Sequence, residues 1–132
     1  MAKYIYPAIF TPEEQGGYSI AFPDIESCYT DADTLEEGIA NANDVLALVL
    51  CELEENGAAI PTPSKINELH TNGEEFATLI GCDTLEYRKH YSSRAVKKTL
   101  TIPAWLNTMA EREELNFSAV LQKALKAELN LA

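Results

Sequence analysis

From Thr34 onward the apolar residues Leu35, Ile39, Ala42, Leu46, Val49 and Leu53 recur at steps of three and four, the spacing that gathers side chains on one face of an α-helix. Thr34 and Glu37 stand as in a capping box: the hydroxyl satisfies a free N–H at the helix start and the carboxylate reaches back. Gly57 closes the helix. The chain before it has a different character. "KYIYPAIFTP" and "GYSIAFPDI" are β-rich runs joined by "EEQGG", whose glycines supply the positive φ of a hairpin turn, and "SCYTDAD" adds a third short strand. After the helix, "AAIPTPSKINELHTNG" reads as a surface connection, "EEFATLIGC" as a short apolar strand and "DTLEYRKHY" as a turn or two of helix. Three strands, a helix and a strand make an α+β sandwich with the amphipathic helix over one sheet face. The opposite face has no obvious cover, so it is either solvated or a place where something docks.

Charge divides the chain. Residues 1–91 hold 4 Lys/Arg and 17 Asp/Glu, a net of −13, whereas residues 92–132 hold 6 Lys/Arg and 4 Asp/Glu, a net of +2. Two domains with different partners follow, 1–91 and 92–132. The acidic body repels nucleic acid and attracts a basic protein, while the tail tolerates phosphate. The 132 residues suit one ordinary domain or two small ones. No run of 18 apolar residues is present that would span a bilayer. Cys28, Cys51 and Cys82 are odd in number and lack metal-ligand spacing, so they are expected to be small core residues rather than disulfide or zinc partners. "MAKYIYPAIF" shows none of the zones of a signal peptide, and a reduced cytoplasm is the expected location.

In "VKKTLTIP" the residues Val96, Leu100 and Ile102 fall on one side of a strand and Lys97, Thr99 and Thr101 on the other, with Lys98 breaking the apolar side. Pro103 is placed as the first helical residue, where its missing N–H is not needed. Trp105, Leu106, Met109 and Ala110 mark a helix to about Glu114, and Ser118 caps a second with the stripe Val120, Leu121, Ala124, Leu125 and Leu129. A strand and two helices of this size cannot make a core alone, because units below about 40 residues need a staple or a partner. A second copy repairs this: two strands pair antiparallel across a twofold axis and four helices, Trp105 among their packing residues, lie beneath. Such a ribbon fits the DNA major groove. Lys97, Thr99 and Thr101 face base edges there, Lys98 reaches phosphate, and the helix start at Asn116, Phe117 and Ser118 offers amides to a backbone phosphate.

This strand, helix, turn, helix pattern resembles the ribbon-helix-helix repressors over nearly all of residues 95–131. The stretch "YPAIFTPEEQGGYSIAFPDIESCYTDADTLEEGIANANDVLAL" resembles the N-terminal domain of HicB-type antitoxins, and "SSRAVKKTLTIPAWLNTMAEREELNFSAVLQKAL" the DNA-binding tail that many of them carry. That family usually has a glycine before the cysteine, where Ser27 stands here before Cys28. The resemblance implies a partial ribonuclease-H-like N-terminal fold that blocks a HicA toxin, a small basic RNase acting on mRNA, and a dimeric tail that binds the operator of the toxin–antitoxin genes. An acidic body is the electrostatic complement of an RNA-binding toxin. Tyr18, Asp31, Asp33 and Glu36, at strand edges and the helix start, are the candidate toxin contacts.

Two other readings stand beside this one. A ligand-sensing ribbon-helix-helix regulator without a toxin would share the tail. A nuclease would need a Mg²⁺-binding cluster, and Asp24, Asp31, Asp33, Glu36 and Glu37 are close in sequence. They lie in a turn and a helix start, however, where capping and the helix dipole already favour acids. His70 and His90 lie far apart, with no Ser or Cys at a suggestive spacing. "YRKHYSSR" reads as a basic patch or a hinge. No catalytic residue, metal or cofactor is expected, and the partners are a HicA-type toxin, operator DNA and a second copy of the chain, with no membrane.

Overall fold

Tyr4, Tyr6, Ala8 and Phe10 alternate with Ile5, Ile9 and Thr11 along β1 (Lys3–Pro12), the two-residue period that gives a strand one face for a core and one for something else. The computed structural model describes residues 2–91 and 94–131, in two units that divide between Arg94 and Ala95. In the first unit β2 (Tyr18–Ala21), β3 (Tyr29–Ala32) and β4 (Phe76–Asp83) join β1 in the order β3-β2-β1-β4, every pair antiparallel. Pro7, which has no N–H to give, sits where β1 pairs with β4 alone, since β2 begins only opposite Ile9. The β1–β2 turn needs glycine at Gly17: its φ is 85°, and a Cβ there would lie 2.6 Å from the carbonyl oxygen of Ala32.

Helix α1 (Leu35–Glu55) starts as its sequence predicts, with Thr34 Oγ1 accepting from Glu37 N at 3.1 Å. It ends in a Schellman motif: Gly57, at φ 65°, donates to Glu54 O at 3.2 Å and Ala58 donates to Leu53 O at 3.0 Å. The buried face is not the expected stripe. Gly38, Ala42, Leu46 and Leu50 lie against the sheet with Ala47 and Cys51, whereas Leu35 and Ile39 are exposed and Val49 and Leu53 pack at the margin. Small residues let the helix axis approach the sheet, which turns the larger side chains of the first turns outward. Tyr6, Ala8, Phe10, Ile20 and Ile80 supply the sheet side of the core, and Phe22, Ile25 and Cys28 close it from the β2–β3 loop.

Helix α2 (Thr84–Tyr91) is fastened to α1 by a polar lock. Glu54 accepts from Tyr4 Oη at 2.8 Å, from Thr84 Oγ1 at 3.1 Å and from Arg88 Nη2 at 3.2 Å, and Arg88 also reaches the carbonyl oxygen of Cys51 at 3.1 Å. Burial opposes the charge on Glu54, the hydrogen bonds from Tyr4 and Thr84 are among the interactions that favour it, and on balance the carboxyl is held below its ordinary value. The same bond, with burial, pushes the Tyr4 hydroxyl up to about 12. The three cysteines are buried and unpaired, as expected; burial pushes the Cys28 thiol up to about 11 and the Cys82 thiol up to about 12, which keeps both protonated and inert.

The second unit holds α3 (Ala104–Arg112) and α4 (Phe117–Glu128). Pro103 is the N-cap of α3 rather than its first residue, and α3 stops at Arg112 because Glu114 takes φ 53° and turns the chain. Asn116, not Ser118, caps α4: its side chain accepts from Ala119 N at 3.1 Å, and Ser118 lies inside the first turn. Residues 94–103 carry no regular secondary structure, so the strand expected over Val96–Ile102 is not formed in the single chain. A strand exists through the ladder of a neighbour, and none of the described residues supplies one. None of the described residues of this unit is buried. Among the described residues no helix is long and apolar enough to cross a membrane.

Candidate functional site

Lys97, Lys98, Thr99 and Thr101 are all exposed on the irregular segment that leads into α3. At the start of α4, Phe117 and Ser118 occupy the first turn, where helix geometry leaves backbone amides without intrahelical acceptors. Asn116 already takes one of them, that of Ala119, and the Ser118 hydroxyl accepts from Gln122 Nε2 at 3.0 Å. What remains there are the amides of the first turn, flanked by Lys123 and Lys126 along the same helix face. Val96, Leu100, Ile102, Trp105, Leu106, Met109, Phe117, Val120, Leu125 and Leu129 of the same unit are apolar and every one of them is 42–77% exposed.

In the first unit the four candidate contacts do not form one constellation. Tyr18 stands on the α1 side of the sheet, its ring edge-on to Phe10 and Phe76 with centroids 6.1 Å away in each case. Asp31 is on the other side: it is the register partner of Ser19, and both follow the parity that leaves the core. Its carbonyl oxygen accepts from Asn41 Nδ2 at 2.9 Å, which ties β3 to α1. Asp33 and Glu36 are exposed at the junction between β3 and α1, with Glu36 in the first helical turn. Tyr29 was not singled out by sequence reasoning, yet it is 70% exposed on the Asp31 side of β3. The alternation in "SCYTDAD" carried that signal, since Tyr29 and Asp31 are two apart.

The acids considered for a metal site are dispersed. The Asp24 carboxylate accepts from Ser64 N at 2.9 Å and from the Ser64 hydroxyl, so it pins the loop after α1, and Asp31 faces away from the core. Among the described residues no group of three His, Cys, Asp or Glu is placed to hold a metal ion. His90 packs edge-on to Tyr91, ring centroids 4.6 Å apart. The two serines of "YRKHYSSR" lie outside the described residues.

Comparison with known proteins adds what geometry alone does not. The model of the HicB-like antitoxin of bacterial toxin–antitoxin systems matches residues 6–125. Antitoxin HicB 1 of Photorhabdus laumondii is 36% identical over 63 residues, 48% of this chain and 41% of that protein, so the chain spans less than half the length of that relative. Antitoxin HicB 2 of the same organism is 30% identical over 131 residues, 83% of this chain and 94% of that protein. A solved toxin–antitoxin complex from Streptococcus pneumoniae contains a chain 27% identical to this one, with a TM-score of 0.62, covering 96% of this chain and 99% of that one. Both Photorhabdus relatives are named as antitoxins, a family not known as enzymes. With a family match that runs from β1 into α4, the chain belongs to the HicB-like antitoxin family.

Proposed function

We propose that residues 1–91, a partial ribonuclease-H-like domain, neutralise a HicA-type toxin, a small basic RNase that cleaves mRNA, and that residues 92–132 form a ribbon-helix-helix homodimer on the operator of the same genes in the cytoplasm. The observation that carries this reading is that none of the described residues of the second unit is buried. Two helices with apolar stripes, preceded by an unpaired segment of strand length, are half of a structure whose other half is identical. Pairing Val96–Ile102 with its copy turns Val96, Leu100 and Ile102 onto the helices and leaves Lys97, Thr99 and Thr101 on the outer face of a two-stranded ribbon. Lysine then donates to guanine acceptors, and threonine meets a base edge or a thymine methyl. The α4 amides and Lys98 hold phosphates and fix the register without reading sequence. The first unit's net of −13 suits it to a basic toxin and keeps it away from the duplex.

The test uses the full-length chain. Lys97→Ala combined with Thr99→Ala removes base contacts from both halves of the ribbon, each good contact being worth about 1–3 kcal/mol. The expected result is a loss of operator affinity of about 100-fold or more in a gel-shift titration, with dimer mass and toxin neutralisation unchanged. Unaltered operator affinity in that double variant would overturn the ribbon assignment.

A further inference from the structure

The sheet face turned away from α1 lies outside the core, with the fully buried Pro7 as the exception on β1. One row runs straight across all four strands: Ala77, Ile9, Ala21 and Tyr29, each the register partner of the next. Leu79 and Ile5, 54% and 60% exposed, extend the apolar area along β4 and β1. The next row is Thr11, Ser19 and Asp31, again in register. Its hydroxyls hold carboxylates in place. Thr11 Oγ1 donates to Glu75 at 3.1 Å, Asn72 N donates to the other oxygen of the same carboxylate at 2.9 Å, and Ser19 Oγ donates to Glu13.

Three carboxylates therefore stand in line: Glu75 over β1, Glu13 over β2 and Asp31 on β3. Neighbouring strands are about 4.8 Å apart, so the line is a comb with steps of one strand. Ile9, Ala21 and Tyr29 of the apolar row, with Thr11, Asp31 and Glu75, line a shallow concavity of about 530 Å³ with no lysine or arginine in its walls; Glu13 lies outside it. Lys3 has the parity of this face but lies three rows away.

We propose that this face is where the toxin docks. The proposal rests on the antitoxin reading above and adds the surface: Ile9, Ala21 and Tyr29 take the apolar centre, and Glu75, Glu13 and Asp31 pair with a row of arginines or lysines on the partner. Interfaces combine an apolar, aromatic core with a charged rim, and both are present here side by side. Carboxylates already held by Thr11, Ser19 and Asn72 lose little freedom on binding, and each keeps lone pairs for a guanidinium. A basic surface that holds RNA phosphates is the chemistry such a comb complements. Tyr18 and Glu36 lie on the other side of the sheet or on the helix, and take no part.

The experiment measures binding of the full-length chain to the HicA protein encoded beside its gene, by calorimetry at two salt concentrations. Asp31→Lys and, separately, Tyr29→Ala are each expected to weaken binding at least about tenfold, the Asp31→Lys loss shrinking at high salt. Glu52→Lys, the same charge change on an exposed position of α1, is expected to stay within about threefold. Circular-dichroism melts identical to the parent show that the variants fold. If the parent binds toxin and all three variants bind equally well, the face is wrong while the antitoxin reading stands. If the parent does not bind the toxin, both fail. If Tyr29→Ala instead changes the oligomeric mass of the free chain and leaves toxin affinity alone, the face is a contact between copies and the proposal is overturned.

Discussion

Phe10 of the first unit is fully buried, with the ring of Phe76 stacked 5.2 Å away and Tyr18 edge-on at 6.1 Å, while Phe117 of the second unit is 46% exposed. The residue type is the same; what differs is whether the chain brings its own cover. Four strands and α1 close a core around Phe10, whereas α3 and α4 each expose an apolar stripe and the segment before them has no strand to pair with among the described residues. Burying one large apolar side chain contributes about 1.5–3 kcal/mol. The first unit collects that term many times within one chain, and the second, in the dimer proposed above, collects it by association. The stability of the one is a property of the fold; on that proposal, the stability of the other depends on concentration.

The largest expected effect follows from this contrast. Phe10→Ala leaves a cavity in a closed core and should destabilise the first unit by about 3–5 kcal/mol, measured by denaturant unfolding. Leu125→Ala, at a position 51% exposed, should leave that transition untouched and appear instead as dissociation at higher protein concentration in sedimentation experiments. A concentration-independent loss of the same size for Leu125→Ala would mean that the second unit has a core of its own.

An intermediate effect comes from the polar lock of the first unit, which has no counterpart among the described residues of the second. Glu54→Gln removes the charge that Arg88, Tyr4 and Thr84 surround, and should cost about 2 kcal/mol at neutral pH. The carboxyl is held below its ordinary value of 4.5 in the folded state, so its contribution is complete above that pH and is lost as pH falls through the lower folded value. Unfolding experiments at pH 7 and at successive points below pH 4.5 should therefore show the gap between parent and variant closing on the acid side. A gap that stays constant would show that the charge of Glu54 is not what the lock uses.

Much of the first unit was legible because its elements announce themselves by period and punctuation. The two-residue alternation of β1, the Thr34 cap and the Gly57 stop all lie where the residues place them. The rotation of α1 was not, because an apolar arc of Leu35, Ile39, Ala42 and Leu46 tolerates several orientations, and the small residues Gly38 and Ala42 decide between them only once a sheet is there to approach. The lock on Glu54 was invisible for a similar reason: its partners are 50, 30 and 34 positions away in the chain. In the second unit Asn116 and Ser118 are both competent caps two residues apart, and the side chain that meets the Ala119 amide settles the choice. Of the candidate site, the alternation of "SCYTDAD" and "GYSIAF" encoded which residues leave the core, but the alignment of Glu75, Glu13 and Asp31 needed the register of three strands.

The smallest effect concerns backbone strain, and it separates the two units once more. Ser27 has φ 57° in the turn that brings Cys28 into the core, where HicB-type sequences usually place glycine. Glu114 has φ 53° at the end of α3, in the Schellman position that Gly57 fills for α1: it donates to Glu111 O at 3.0 Å, and Leu115 donates to Ala110 O at 3.1 Å. A left-handed conformation costs a side-chain-bearing residue about 1–2 kcal/mol, and glycine recovers this less the extra entropy of its unfolded chain, about 0.4–1 kcal/mol. Ser27→Gly and Glu114→Gly should each gain about 0.5–1 kcal/mol. The gain of Ser27→Gly should raise the melting temperature of the first unit equally at every protein concentration. That of Glu114→Gly should leave this transition in place and lower the concentration at which the proposed dimer dissociates, because the turn it relaxes joins the two helices that such a dimer covers.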